Sequence, residues 1–443
     1  MGRVKIMLSL NKNFVSNFLL VASITSLNAS DTQGIDIGNE WKVLEDIKFG
    51  YVNYNYDNAP SLDSPTTNKG HVDSKGFYTI PKFSILTPTY NNFSAKATYT
   101  VATDFGLNNP DYENRNWVFN PSDQESFAIL QELYINYKDS NHNLTIGRQE
   151  LETPLIEPDD YYMLANSYEA INYVNTMLCN TELHLGYFHK MAGVWDSGDN
   201  GTEFHSMSDT SFVDARDKEN ANDSGVVFGA IEYKTQNHKI KVWEYYVTDL
   251  YNMFLAQYDF TNKMNSFTYN TAIQFTNYKE IGELASNNFT NIDYSIYAIK
   301  FDGKYDNGFE FATGASKFSN GKGIGSTLSA WGGFPTYTYG YIFNWFETGS
   351  LQNAALLKVE LAYDLSKLGL KNSWIGYRHT CYNLDSEHSR TVSGVPQEKM
   401  QLNGIRFKYT PTTGVYFTAN YEHRSLDNEP DSSAYRLIGG YKF

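Results

Sequence analysis

The chain ends on the stretch AYRLIGGYKF, residues 434–443. One register of this stretch carries aromatic and apolar side chains, interrupted by Gly439: Tyr435, Leu437, Tyr441 and Phe443. The other register is mixed and includes Arg436 and Lys442. Successive side chains of a β-strand point to opposite faces, so this alternation predicts a strand with one apolar face and one mixed face.

The same alternation recurs along the chain in segments of about ten residues, a length typical of membrane-spanning strands. LLKVELAYDL places Leu357, Val359, Leu361 and Tyr363 on one face, and Lys358, Glu360 and Asp364 on the other. FAILQELYINYK places Phe127, Ile129, Leu133, Ile135 and Tyr137 on one face. Charges that recur on the second face do not suit a dry core. They favour strands with lipid on one side and water on the other.

Short turns alternate with longer polar segments between these strands. Asn, Asp, Gly and Pro dominate most of the short turns, which are predicted at 87–92, 138–143, 178–182, 234–239, 260–266, 304–308, 365–373 and 410–414. The longer segments are 57–75, 105–125, 151–168, 194–224, 247–253, 277–292, 319–352, 381–398 and 427–432. Together they predict an all-β fold, an antiparallel transmembrane barrel of 18 strands, with 16 as the alternative, short periplasmic turns and long extracellular loops.

One segment tests this count. YTYGYIFNWFE, residues 337–347, also alternates like a strand. We interpret it as part of the long segment 319–352, folded over or into the pore. A nineteenth strand here would put the short turns 304–308 and 365–373 at opposite ends of the barrel. An 18-stranded barrel is too wide for side chains to fill, so its interior holds water or a folded-in loop.

The composition agrees with a barrel and excludes other classes. Aromatic residues make up 16% of the chain, yet its mean hydropathy is -0.48. A disordered chain would be poor in aromatics, and no apolar run is long enough for a membrane-spanning helix. In a barrel, Tyr, Phe and Trp concentrate at the two membrane interfaces.

The N-terminus predicts export. Residues 1–29 carry basic residues, an apolar stretch and a small-residue site, which is typical of a signal peptide: Arg3, Lys5, Lys12, then 14–27 and LNA at 27–29. The alternative is an amphipathic leader on an internal protein. Residues 30–443 then form the barrel domain, with a net charge of -18 after removal of three basic residues. That charge argues against a nucleic-acid partner.

The last strand also resembles the C-terminal recognition signal of bacterial outer-membrane barrels. Tyr441 and Phe443 would carry this assembly signal for the barrel assembly machinery. The expected location is therefore the bacterial outer membrane, with membrane lipids and lipopolysaccharide as partners.

A longer stretch, LQELYINYKDSNHNLTIGRQELETPLIEPDDYYMLANSYEA at 130–170, resembles the OprD-type porins, especially the divergent branch of Campylobacter-like bacteria. AWGGFP at 330–335 and AYDLSKLGLKNSWIGYRHT at 362–380 resemble them too. The resemblance implies an 18-stranded pore, monomeric or in a homotrimer, with inward-folded loops and a basic ladder that guides substrate. The chain departs from the family pattern at Tyr162, Ala165 and Ala170, where Arg, Pro and Gly are usual. These departures leave the substrate class open.

Inward-facing charges are the candidate selectivity residues. Alternation places eight basic residues on the pore-lining face: Lys96, Lys300, Lys358, Arg378, Arg406, Lys408, Arg424 and Arg436. Acidic residues share that face: Asp302, Glu360, Asp364 and Glu422. The predicted constriction loop and its approach contribute Arg148, Glu152, Glu157, Asp159, Asp160, Tyr161 and Tyr162. The hypothesis is a basic wall opposite acids from the 151–168 loop. The alternative is that charges pair across neighbouring strands and keep the lumen wet.

Two classes of function remain open. The first is a porin, a water-filled channel for ions and small hydrophilic solutes, and the second is a barrel acting as adhesin or surface receptor. Loops of moderate length favour the channel. The sequence has no nucleophile elbow, HExxH motif or phosphate loop, which argues against an enzyme. It predicts no cofactor and no metal spacing, and the acidic segment 194–224 is interpreted as solvated.

Overall fold

The computed structural model describes residues 35–38, 40–56, 73–108, 126–158, 163–193, 203–206, 225–282, 292–323, 332–343, 350–390 and 394–442. The predicted signal peptide 1–29, most of the acidic segment 194–224, and Phe443 lie outside them. The first ten strands are β1 (Ile35–Gly38), β2 (Trp41–Tyr56), β3 (Ser74–Leu86), β4 (Phe93–Ala102), β5 (Phe127–Lys138), β6 (His142–Gln149), β7 (Ser167–Asn175), β8 (Thr181–Ala192), β9 (His205–Ser206) and β10 (Val226–Lys234).

Ten more strands complete the described part of the chain. They are β11 (His238–Val247), β12 (Tyr251–Met264), β13 (Phe267–Glu280), β14 (Asp293–Tyr305), β15 (Phe309–Phe318), β16 (Ala355–Asp364), β17 (Ser373–Asn383), β18 (Lys399–Tyr409), β19 (Val415–Leu426) and β20 (Ser432–Lys442). A 3₁₀ helix at Leu365–Leu368 lies between β16 and β17. No helix in the described ranges is long and apolar enough to cross a membrane.

Eighteen of these strands pair antiparallel, in chain order, into one sheet. The sheet closes because β20 pairs with β2, with Leu437 opposite Tyr51. The short strands β1 and β9 add to β2 and β8 without joining the ring. Closure leaves no unpaired sheet edge, which hydrocarbon does not tolerate. The predicted closed barrel of 18 strands is confirmed.

All eight predicted short turns join successive strands at one end of the barrel, and the nine segments predicted as longer lie at the other end. The length predicted for 247–253 is wrong, because only Thr248, Asp249 and Leu250 separate β11 from β12. The turn predicted at 260–266 is shorter than expected, because β12 continues to Met264 and only Asn265 and Ser266 lie between the strands. Asn265 adopts a φ of 54°, a left-handed conformation that Asn tolerates in tight hairpin turns.

The outer face is apolar and the inner face is mixed. Leu357, Val359 and Leu361 are exposed on the outside of β16, while the intervening side chains point inward. The prediction for FAILQELYINYK is partly wrong. Ile129 is only 6% exposed whereas Leu133 is 52% exposed, so they lie on opposite faces. The reason is a register shift between Thr98 and Tyr99 opposite this segment, a β-bulge whose extra residue reverses the alternation.

The interior of the barrel is partly filled. Buried apolar side chains from strands β7 to β20 form one continuous cluster with side chains from two inward-folded loops. The first loop lies between β6 and β7 and is described at 151–158 and 163–166. The second lies between β15 and β16 and is described at 332–343 within that connection. The described part of the segment 337–347 is therefore a loop inside the barrel and not a nineteenth strand.

Candidate functional site

Four aromatic side chains on the second inward loop define what we call the aromatic strip: Tyr337, Tyr339, Tyr341 and Phe343. Tyr341 lies between two guanidinium groups of the barrel wall. The Arg378 Cζ atom is 4.1 Å from the centre of the Tyr341 ring, and the Arg406 Cζ atom is 4.2 Å from it. A cation over an aromatic face is attracted to its electron density, and the ring here separates two like charges.

The other members of the strip have basic neighbours as well. The distances from cation to ring centre are 5.4 Å for Lys300 and Tyr337, 5.7 Å for Lys358 and Tyr339, and 5.2 Å for Arg424 and Phe343. These cations come from β14, β16 and β19, so the strip runs across the strands along the inner wall. The strip therefore covers much of the wall that carries the predicted basic residues.

Glu422 on β19 fixes the backbone of the strip. Its side chain is fully buried and accepts hydrogen bonds from the backbone N–H groups of Tyr341, Ile342 and Phe343, each at 2.7 Å. Consecutive backbone N–H groups form a concavity suited to an anion, and the carboxylate fills it. The negative charge strengthens all three hydrogen bonds, so Glu422 holds residues 341–343 against the wall.

Arg378 on β17 holds the same loop from its carbonyl side. Its Nη1 atom donates to the backbone oxygens of Tyr339 at 3.1 Å and Gly340 at 2.9 Å. Its Nε atom donates to Glu360 Oε2 at 2.6 Å. The loop is thus clamped by an acid on its N–H groups and a base on its carbonyl groups.

Two glycines make room for Tyr341 against the wall. Gly404 on β18 pairs with Arg378, and Gly376 on β17 pairs with Arg406, so Arg and Gly alternate across the two strands. A Cβ atom at Gly404 would lie 2.8 Å from Tyr341 Cδ2 and 2.9 Å from Glu422 Oε1, and one at Gly376 would lie 2.9 Å from Tyr341 Oη. Sequence reasoning missed these positions. The signal was the repeated Gly-x-Arg in WIGYRHT and NGIRFKY, since glycine inside a strand often marks a close approach.

The first inward loop meets the second. Ile156 forms an isolated β-bridge with Gly332, just before the strip. Thr153 anchors this loop to the wall, because Tyr245 Oη donates to its Oγ1 atom at 2.9 Å. The backbone N–H of Leu155 donates to the same Tyr245 hydroxyl at 3.4 Å. The two loops therefore narrow the barrel interior together.

Some of the predicted pore-lining residues are buried against protein, and others are at least partly exposed in the interior. Arg378, Arg424 and Arg436 are at most 8% exposed, so they contact protein more than water. Lys300 bonds to Asp302 at 2.7 Å, and Lys408 lies 5.4 Å from the Trp374 ring.

On the other side of the barrel the ladder residue Lys96 pairs with an acid. Its Nζ atom lies 2.6 Å from Glu132 Oε2. That acid was not among the predicted site residues, although the outward positions of Leu133 and Ile135 in the same strand place it on the inner face.

The described part of the predicted constriction loop is largely apolar. Leu151, Leu155, Ile156, Met163 and Leu164 are buried. Of the described acids of this loop, Glu152 is exposed, and the backbone carbonyl of Glu157 accepts from Asn166 Nδ2 at 3.3 Å. Asp159, Asp160, Tyr161 and Tyr162 lie outside the described residues.

Three further predicted residues lie apart from the strip. Arg148 bonds to Glu169 at 2.9 Å and stacks on Phe204 at 4.2 Å. Asp364, the last residue of β16, caps the 3₁₀ helix by accepting from Ser366 N at 3.0 Å. Tyr441 lies in β20 opposite Val415.

No protein-family model matches the chain, and no curated protein matches it. Solved structures do. OccK9 (OpdG) of Pseudomonas aeruginosa superposes with a TM-score of 0.72 at 12% identity, covering 91% of this chain and 98% of that one. OccK8 (OprE) of the same organism gives 0.69 at 14% identity, over 91% and 98%. OpdK of the same organism, solved with vanillate, gives 0.66 at 15% identity, over 90% and 98%. The chain shares the 18-stranded barrel fold of these OprD-type porins.

Proposed function

We propose that the protein is an outer-membrane porin, a water-filled channel for passive diffusion of ions and small hydrophilic solutes. The observation that carries this proposal is the pair of inward loops, which meet at Ile156 and Gly332 and narrow a barrel lined by charged side chains. A wide barrel without such loops would select solutes by size alone. A loop that lies on charged groups lets the wall also select solutes by their charge. The likeness in fold to solved porins supports the same reading.

Solutes that carry a carboxylate are the class we expect the channel to favour. Lys300, Lys358 and Arg406 lie beside the aromatic strip and are only partly buried, so they present positive charge along its edge. A guanidinium or ammonium group next to tyrosine rings suits an anionic solute with a flat apolar part. The OpdK structure was solved with vanillate, which supports this class for a similar barrel. Lys408 and the other predicted pore-lining residues would contribute to the general field, apart from Lys96, whose charge Glu132 balances.

The finer assignments belong to the same proposal. They are membership of the branch found in Campylobacter-like bacteria, cleavage of residues 1–29, location in the bacterial outer membrane, contact with lipids and lipopolysaccharide, and assembly through Tyr441 and Phe443. Association into a homotrimer stays open, since an outer face of alternating apolar residues serves lipid and protein contacts alike. The proposal includes no catalytic activity.

Planar lipid bilayers test this function. Purified protein should insert and give stable ohmic current steps, and its reversal potential in a salt gradient should show anion preference. Vanillate and other small carboxylates should reduce the current more than neutral solutes of the same size. Protein that is folded, as judged by its heat-dependent mobility on a denaturing gel, yet gives no current would contradict the channel and favour the adhesin or receptor.

A further inference from the structure

A second cluster of functional side chains lies near the short-turn end of the barrel, away from the aromatic strip. It consists of Glu182 and His184 on β8 and Glu232 on β10. Residues two apart on a strand share a face, so Glu182 and His184 both point inward. Glu232 pairs directly with Glu182 across the two strands, which places it on the same face. The strand pairing therefore brings the three side chains together.

The two carboxylates of this cluster are held close together by the strand pairing. Two carboxylates directly opposite each other on neighbouring strands repel. Lys239 from β11 supplies one positive charge, with its Nζ atom 2.9 Å from Glu232 Oε2. Trp243 Nε1 donates to Glu232 Oε1 at 2.9 Å and fixes the orientation of that carboxylate. Lys241 lies directly opposite Glu232 on β11 as a second basic neighbour. A metal ion at this cluster would therefore displace a lysine from Glu232.

His184 adds a ligand of another kind. Its Nε2 atom is buried and makes no hydrogen bond within the described part of the chain, although it lies 3.6 Å from Glu182 Oε2. Its ring packs 4.8 Å from the ring of Trp243, so the imidazole is held in place. A buried imidazole nitrogen without a hydrogen bond, aimed at a carboxylate, is what a metal ligand looks like before the ion binds.

We propose that Glu182, His184 and Glu232 form a site for a divalent transition-metal ion, with Zn²⁺ as the probe. Their ligand atoms all lie within 4.8 Å of one another, so small rotations of the side chains bring them around one ion. Three protein ligands with one position left for water is a common zinc arrangement. An imidazole ligand favours Zn²⁺ over Mg²⁺ and Ca²⁺, which prefer oxygen. Two carboxylates neutralise the ion, and Lys239 moves off Glu232 when it binds.

The test measures Zn²⁺ binding to untagged protein in detergent, after removal of metal with a chelator. Cys179 lies in the adjacent turn and is exposed, so the measurements use a Cys179→Ser, Cys381→Ser background. Titration should show a single saturable site that excess Mg²⁺ does not occupy. His184→Ala should lower the affinity for Zn²⁺ strongly. Trp243→Phe, which removes the hydrogen bond that orients Glu232, should lower that affinity about tenfold.

Lys239→Met gives the sharpest result, because it removes the competing cation and should tighten Zn²⁺ binding. His388→Ala is the matched control. His388 belongs to another His and carboxylate group with Asp385 and Glu387, but the Asp385 carboxylate already accepts from Glu387 N and from Asn353 Nδ2, each at 3.0 Å. This control should leave binding unchanged. Absence of saturable binding, binding that survives His184→Ala, or weaker binding in Lys239→Met would overturn the proposal.

Discussion

Two walls of the barrel carry similar charges in different surroundings. On β3 to β7, three inward cations pair with an acid on a neighbouring part of the wall: Lys82 with Glu150 at 2.9 Å, Lys96 with Glu132 at 2.6 Å and Arg148 with Glu169 at 2.9 Å. On β14 to β19, the cations lie against the aromatic strip. We call the first the paired wall and the second the covered wall.

The difference shows two ways to keep charges inside a barrel. A buried charge is costly unless it is paired or hydrogen-bonded. The paired wall meets this need with carboxylates at cross-strand distance. The covered wall also has carboxylates, such as Glu360 beside Arg378, but adds the aromatic faces and backbone carbonyls of a loop. The cations of the paired wall are therefore neutralised within the wall, whereas those of the covered wall also depend on the loop.

The largest expected effect comes from Glu422→Gln. The amide nitrogen would replace one of the two oxygens and oppose either the N–H of Tyr341 or those of Ile342 and Phe343, so the strip should loosen from the covered wall. We expect a loss of about 3 kcal/mol in the free energy of unfolding, the scale of hydrogen bonds to a charged group. Single-channel conductance should rise as the loop leaves the interior.

The control for this variant is Asp306→Asn in the exposed pair with Lys263, which should change neither quantity measurably. Conductance and thermal unfolding that stay at the parent values in Glu422→Gln would show that the carboxylate does not hold the strip.

A smaller effect is expected from Gly404→Ala. The added methyl group would meet the Tyr341 ring and the Glu422 carboxylate at under 3 Å, so the strip must shift. Conductance should change in the same direction as in Glu422→Gln, but less. Gly439→Ala is the matched control, since its Cβ would lie 3.7 Å from Phe417 and fit without movement. Equal behaviour of the two variants would contradict the close packing at Gly404.

Tyr341→Leu should act mainly on ion preference. The ring separates Arg378 from Arg406, and its loss exposes both guanidinium groups to the interior while removing two cation–π contacts of about 1 kcal/mol each. The reversal potential in a salt gradient should therefore shift toward anions. Tyr297→Leu, which changes an exposed tyrosine on the outer face, should leave the potential where it is. A shift of the same size in both would mean that the strip does not screen the covered wall.

The barrel could be predicted from the sequence because the patterns that specify it are local. Turn residues and alternation repeat along the chain, so the positions of Lys358 or Arg406 on the inner face follow from their own segments. The side chains and loops that surround these residues cannot be predicted from the same segments. Glu422 bonds to Tyr341 across 81 residues, and no local pattern indicates that contact. The bulge opposite Thr98 and Tyr99 was missed for a related reason: one extra residue reverses alternation without changing the composition of the strand.

The smallest effect is expected on the paired wall, from the double change Lys96→Met with Glu132→Gln. The pair carries no net charge, so its removal should leave the reversal potential unchanged, and replacing a buried ion pair by neutral side chains costs little in the free energy of unfolding, about 1 kcal/mol or less. Lys96→Met alone should behave differently, since it removes the cation beside Glu132 and leaves that carboxylate with the hydrogen bond from the Thr98 hydroxyl at 2.6 Å. That variant should unfold more easily and shift the potential toward cations. If the double variant instead shifts the potential as Tyr341→Leu does, the paired wall also acts on passing ions, and the division into two walls fails.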